Sequence, residues 1–226
     1  MKIISFSLWG NNPMYNNGAV TNAEIALRLL PDWICRFYIG SNTDELTIQK
    51  LKKLSNVQVI NMNAQATMKS MVWRFLPCSE KNVSVMISRD ADCRICPREV
   101  EAIDMWLNSD KNFHIVRDHP YHNAPILGGL WGARNQILGD ISELLLKFEK
   151  SGIPDAKQYD QTFLRDFIFN RVKYESFIND EFFDKKNKLQ TKRDTNGVFF
   201  LGEIFNADES FYSQEHRDLV VKFFNS

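Results

Sequence analysis

VSVMISRDADCRICPREVEAIDMWL, residues 83–107, changes character twice. An apolar run, VSVMIS, ends in two aspartates one residue apart, Asp90 and Asp92, and Pro97 then opens the pattern PREVEAIDMWL. A short continuous apolar run reads as a strand buried on both faces, and proline suits the first turn of a helix. The carboxylate pair therefore falls between a strand's carboxyl end and a helix start, the edge where open α/β sheets bind ligands. Residues i and i+2 of an extended segment point to one side, so Asp90 and Asp92 can share one hard divalent cation, Mg²⁺ or Mn²⁺. Such an ion keeps positions open for the oxygens of a diphosphate. By itself the pair reads better as a solvated turn, and its setting shifts the balance.

The surrounding half alternates strand-like and helix-like runs, the pattern of an α/β sheet with helices packed on it. KIISFSLW (2–9), ICRFYIG (34–40), VQVINM (57–62) and FHIVRDHP (113–120) read as strands. Between them, Ala23, Ala26, Leu27 and Leu30 mark a helix face before Pro31, and DELTIQKLKKL (44–54) and TMKSMVWRFLPC (67–78) read as further helices. The glycine-rich APILGGLWG (124–132) follows. After residue 140, Ile141, Leu144, Leu145 and Phe148 line one helix, and Phe163, Leu164, Phe167, Ile168 and Val172 line another. GVFFLGEIF (197–205) is expected to be a late strand, and SQEHRDLVVKFF (213–224) a last helix. The expected fold is one domain, 1–226, with a mixed, mainly parallel sheet.

Composition narrows the function. The 226 residues are 44% hydrophobic and 25% charged, the balance of a soluble globular protein. Lys+Arg and Asp+Glu both number 28, so no positive field draws the chain to nucleic acid. The apolar start is too short for a signal peptide and no run reaches 18 apolar residues, so a cytoplasmic protein without a transmembrane segment is expected, in the host cytoplasm if the source is viral. Cys35, Cys78, Cys93 and Cys96 read as free thiols, since the one CxxC lacks a second ligand pair.

Six stretches in order, WRFLPC (73–78), SRDADCRICPRE (88–99), FHIVRDHPYH (113–122), ILGGLWGAR (126–134), YDQTFL (159–164) and FLGEIF (200–205), resemble the GT-A (Rossmann-like) glycosyltransferases. The likeness is strongest to the compact type of large algal DNA viruses and related bacterial sugar-polymer loci. It implies a nucleotide-sugar donor, with UDP favoured, a diphosphate held by Mn²⁺ or Mg²⁺, and transfer to a glycan or glycoconjugate hydroxyl. On it, residues up to about 125 form the nucleotide and metal half, and about 126–226 the acceptor side. Asp90 and Asp92 match the family's DxD as metal ligands, with Ser88 and Arg89 beside them in the donor site. Leu8, Trp9 and Gly10 fall where the nucleobase sits, with Tyr15 close by. Asp160 falls where a carboxylate stands near the acceptor, as base of an inverting transfer. Cys93 departs from the serine usual after the second aspartate.

Each candidate has a plainer reading. Asp160 is equally an N-cap for the helix that follows. Arg74 reaches a donor phosphate or makes a salt bridge, and Arg89 is expected to partner one of the aspartates. Arg117, His119 and His122 read as a polar sugar-facing loop with Asp118 as rival base, because a hard cation does not seek imidazoles. Gly128 and Gly129 allow close backbone approach under a sugar, and Trp131 is expected as its stacking surface. The loop with Lys185, Lys186, Lys188, Lys192 and Arg193 is a solvated face or a lid. Two rival functions stand: a sugar-1-phosphate nucleotidyltransferase, disfavoured because LWGNNPMYNNG (8–18) carries no basic residue, and a non-catalytic glycan-binding module.

Overall fold

The computed structural model describes residues 1–134 and 137–225. Strand β1 (Lys2–Gly10) leads to helix α1 (Pro13–Leu29), β2 (Trp33–Thr43), α2 (Glu45–Lys52) and β3 (Val57–Asn61). A 3₁₀ helix (Met68–Ser79) precedes β4 (Val85–Ser88), α3 (Pro97–Leu107) and β5 (Phe113–Arg117). Then come β6 (Trp131–Arg134), α4 (Ile141–Lys150), a helical run of α5 (Tyr159–Phe163), a π turn (Leu164–Ile168) and α6 (Phe169–Val172), β7 (Ser176–Asp180) and α7 (Gln214–Asn225).

The strands form one sheet in the order β3-β2-β1-β4-β6-β5-β7. Neighbours are parallel except β6, which runs against both β4 and β5. β1 shows how the sheet is covered: Ile3 enters one apolar cluster with Phe75, Trp131, Phe148 and Phe163, while Ile4, Phe6 and Leu8 enter another with Ala19, Ala23, Ala26, Ile103 and Trp106. Alternation along a strand serves both faces. The alanine face of α1 lets that helix lie close to the sheet.

Two expectations change. GVFFLGEIF is not a strand; the last strand is Ser176–Asp180, earlier in the chain, paired in parallel with β5. Phe199, Phe200 and Leu201 are buried instead as loop residues packed on α7 and the β5–β6 connection. Leu27 faces outward, because the apolar stripe of α1 follows Ala19, Ala23 and Ala26.

Candidate active site

Because β6 is antiparallel, its first residue pairs with the last of β4, Trp131 with Ser88. The chain leaving β4 and the chain entering β6 therefore meet at one sheet edge, beside the end of β1. Asp90 and Asp92 lie on the first, and Gly128 and Gly129 on the second. Asp90 and Asp92 are on a turn rather than an extended segment, closed by Cys93 N–H donating to the Asp90 carbonyl at 3.3 Å. Their carboxylates nonetheless converge: ligand atoms of Asp90, Asp92 and Cys93 lie within 4.8 Å of one another.

Helix α1 clamps this turn. Asn22 donates to the Ala91 and Cys93 carbonyls at 3.3 and 2.7 Å and accepts from Ile95 N–H at 3.0 Å. A side chain at Gly18 would strike the Ala91 carbonyl, so only glycine permits that approach. Arg94 bonds the same two carbonyls and is held by Glu209, while Phe205 N–H donates to the Asp92 carbonyl at 2.8 Å. Segment 204–212 thus straps the turn down.

Arg74 is brought to the carboxylates by a contact between its helix and β1. The Ser7 hydroxyl donates to the Met71 carbonyl and accepts from Arg74 N–H, both at 3.1 Å, tying the 3₁₀ helix to the strand. The Arg74 guanidinium then spans two carboxylates: Nη1 bonds Asp90 and the Arg89 carbonyl, and Nη2 bonds Asp160 at 2.6 Å. Arg74 and Asp160 are both 4% exposed. Burial alone would lower the pKa of Arg74, but the charges of Asp90 and Asp160 outweigh it and raise it above its ordinary value. Of the two readings of Arg74, the structure holds the salt bridge.

The paired glycines form the floor. A Cβ at Gly128 would overlap Asp160 Oδ2, and one at Gly129 would overlap Asp90 Oδ2. Close backbone approach is the expected role of these glycines, but what they approach is two carboxylates. Buried Ser88 holds the floor in place, its hydroxyl donating to the Gly128 carbonyl at 2.7 Å.

Asp92 has its carboxyl pKa raised, first by burial and then by the Asp90 charge. Cys93 is pushed well above the usual thiol range, first by burial and then by Asp92 and Asp90. Tyr15, 40% exposed, has its hydroxyl pKa raised by burial and then by the charges of Asp92 and Asp90. The donor set suits a divalent cation: two carboxylates face one point, and a glycine leaves room for one of them. Oxygen donors favour Mg²⁺ or Mn²⁺.

Several expected site residues belong to other structures. Trp131 is fully buried, stacked on Phe113 at 5.1 Å and edge-on to Phe75 at 5.1 Å, so it offers no surface to a sugar. Its alternation in β6 points it into the core. Arg89 bonds Glu99, not the aspartates. Asp118 is 1% exposed and accepts from Arg98, Arg193 and Leu201 N–H. Burial raises its carboxyl, but the Arg98 and Arg193 hydrogen bonds and charges prevail and hold it below the usual range. An acid so held is a poor proton acceptor, and its role is to pin the loops.

Arg117 bonds Asp180 at 3.4 Å and the Pro125 carbonyl at 3.0 Å. His119 is buried, accepting from Tyr121 N–H and meeting the His216 carbonyl at 3.0 Å, so this loop faces α7 rather than a cleft. Arg193 is fixed to Asp118 and Glu181, so it belongs to a buried ion-pair network rather than to a solvated face. Leu8 is buried in the core, whereas Trp9 and Gly10 stand half-buried at the end of β1. Asp160 is not the N-cap of its helix; Gln158, in the left-handed region at φ 70°, holds that position. Asn22, Arg94 and Glu209 escaped the sequence reading, since polar residues in a helix, a turn and a distant loop carry no local sign that they meet.

No protein-family model and no curated protein matches the chain. Solved structures do. A glycosyltransferase involved in glycosylation of the major capsid of PBCV-1 superposes with a TM-score of 0.52 at 13% identity, over 80% of this chain and 81% of that one. TarS residues 1–349 of S. aureus give 0.49 at 11% identity, over 79% of this chain and 58% of that one. A 4-diphosphocytidyl-2C-methyl-D-erythritol synthase of Anaerococcus prevotii gives 0.49 at 9% identity, over 100% and 95%. The first of these establishes the fold as GT-A.

Proposed function

We propose that the chain is a glycosyltransferase that uses Mn²⁺ or Mg²⁺ to move a sugar from a nucleoside-diphosphate sugar, a UDP-sugar by preference, to a glycan or glycoconjugate hydroxyl. One observation carries the reading: Asp90 and Asp92 converge at the ligand edge of a GT-A sheet, next to a third carboxylate, the buried Asp160, and a guanidinium that bridges Asp90 and Asp160. Asp90 and Asp92 would hold the metal, which when bound supplies positive charge for the departing diphosphate. Trp9 and Gly10 at the end of β1 and the ring of Tyr15 flank the place for the nucleotide. Gly128 and Gly129 set the depth of the floor on which the sugar rests.

Asp160 is the carboxylate assigned to take the proton of the acceptor hydroxyl in an inverting displacement. Asp118 is withdrawn from that role by its two arginines. A carboxylate base within reach of the hydroxyl contributes roughly 10²–10⁴-fold. The fold equally accommodates transfer of a nucleotide to a sugar phosphate, so the test must separate the two.

The test is thermal stability with UDP, GDP or dTDP, each with and without Mn²⁺, in wild type, Asp90→Asn and Asp92→Asn, followed by transfer assays with the sugar form of the nucleotide that binds. A ligand that binds only the native state raises Tm by mass action. A shift that needs both Mn²⁺ and the aspartates is expected. Absence of any shift in wild type, or pyrophosphate release from a nucleoside triphosphate and a sugar phosphate, would sink the proposal.

A further inference from the structure

The carboxylates at the sheet edge outnumber the cations. Asp90, Asp92 and Asp160 gather around one guanidinium, Arg74, which is buried and divides itself between Asp90 and Asp160. The site that would receive a metal is thus already partly neutralised from inside the protein, at the very residue a metal must take. Arg74 keeps other partners if it loses Asp90, because Nη1 also donates to the Arg89 carbonyl at 3.2 Å and Nη2 to Asp160 at 2.6 Å. Its Nε has no hydrogen-bond partner among the described residues. A buried guanidinium with a spare donor and divided loyalties is poised to be redistributed.

We propose that Arg74 is a positioning residue that couples the metal site to Asp160: it holds Asp90 in the metal-free protein, metal binding releases it to Asp160, and the donor's diphosphate then draws it off and frees Asp160 to act as base. The proposal rests on the metal role of Asp90 and Asp92. It gives two signs that it shares with simple crowding of charge and a third that it does not, the dependence of one on the other. Removing Arg74 should tighten metal binding, since one opposing cation disappears. Removing the charge of Asp160, which touches no metal, should weaken metal binding by leaving the whole guanidinium to Asp90, and this effect should depend on Arg74 being present.

The experiment is a Mn²⁺ titration of the full chain without nucleotide, followed by electron paramagnetic resonance of free Mn²⁺, for wild type, Arg74→Met, Asp160→Asn and the double variant. Neighbouring charges shift ionic equilibria by one to three powers of ten, so Arg74→Met is expected to bind Mn²⁺ about tenfold or more tighter. Asp160→Asn should weaken binding in wild type, and its effect should shrink by roughly fivefold or more in the Arg74→Met background. If Arg74→Met does not fold because Asp160 is stranded, the double variant, which strands no charge, is compared with Asp160→Asn and should bind at least about tenfold tighter. Equal affinities with and without Arg74, effects that simply multiply, or no Mn²⁺ binding by any variant would each overturn the proposal. Wild type that shows this pattern yet transfers no sugar would overturn the activity and leave the coupling standing.

Discussion

Gly128→Ala is the change that tests how the carboxylates are held apart. The new methyl would overlap Asp160 Oδ2 and stand 2.9 Å from Asp160 Cγ and 2.7 Å from Arg74 Nη2. Both side chains are tethered beside the new methyl: Asp160 Oδ1 accepts from Gln161 N–H at 2.9 Å, and Arg74 Nη1 donates to Asp90 and the Arg89 carbonyl. If the backbone absorbs the overlap, the cost is that of an overpacked core, about 1–3 kcal/mol. If the ion pair breaks, it rises to about 3–5 kcal/mol, because both charges are buried. For a chain of this length about 3 kcal/mol corresponds to a fall in Tm of roughly 6–12 °C. Gly152→Ala is the control, since its φ of +77° makes alanine strained but nothing lies within 4 Å of the added carbon; it should cost about 1–2 kcal/mol. Calorimetry of Gly128→Ala, Asp160→Ala and the double variant completes the test. The double should be distinctly more stable than the sum of the singles, as the methyl then occupies the space of the lost carboxylate. Strict additivity, or an unchanged Tm for Gly128→Ala, would refute the account of the floor.

Two further outcomes follow from buried ionisable groups. His114 is fully buried against Trp106, with Nε2 2.7 Å from Asn179 Oδ1, and burial pushes its pKa down to about 3. Its unfolded value is about 6.5, so the unfolded chain binds the extra proton: stability from this group is full above pH 6.5 and is lost as pH falls towards 3, by about 2–3 kcal/mol at pH 4.5. Urea unfolding of wild type and His114→Gln between pH 7 and 4.5 should show a flatter decline in the variant, and parallel curves would contradict the linkage. Asp118→Asn should lower stability by about 1–3 kcal/mol, because Arg98 and Arg193 lose one of their two counter-charges and keep Glu181, while Mn²⁺ still binds. A variant as stable as wild type but unable to transfer sugar would return Asp118 to the role of base.

The parts of the fold legible in the sequence are those fixed by local pattern. VSVMIS followed by Pro97 marks strand and helix because burial and proline geometry act within a few residues, and α3 begins and ends where PREVEAIDMWL does. The convergence of Asp90 and Asp92 was legible for a similar reason, although through a turn rather than a strand. Trp131 misled because a tryptophan after two glycines looks like a loop residue, whereas the chain re-enters the sheet at that residue. GVFFLGEIF misled because its aromatics are apolar enough for a strand, yet β5 had already found its partner in SFIND. Nothing local could show that Arg74 lies between Asp90 and Asp160, 16 and 86 residues away. Charge alone does not state which of three acids an arginine will reach.

The antiparallel entry of β6 has a mechanical consequence. The glycine floor is a turn that leads, with only Leu130 between, into a four-rung ladder that runs from Ser88–Trp131 to Val85–Arg134. Gly132 acts as a locating pin on that ladder, since a side chain there would collide with Ile87, the Met86 carbonyl and Trp106. A slip by two residues would place Trp131's neighbours against that stop, so the register is keyed. The height of the floor relative to the carboxylates is therefore gauged by the central sheet, and its slow opening, read by amide hydrogen exchange, should follow the unfolding of the sheet rather than the fraying of surface loops.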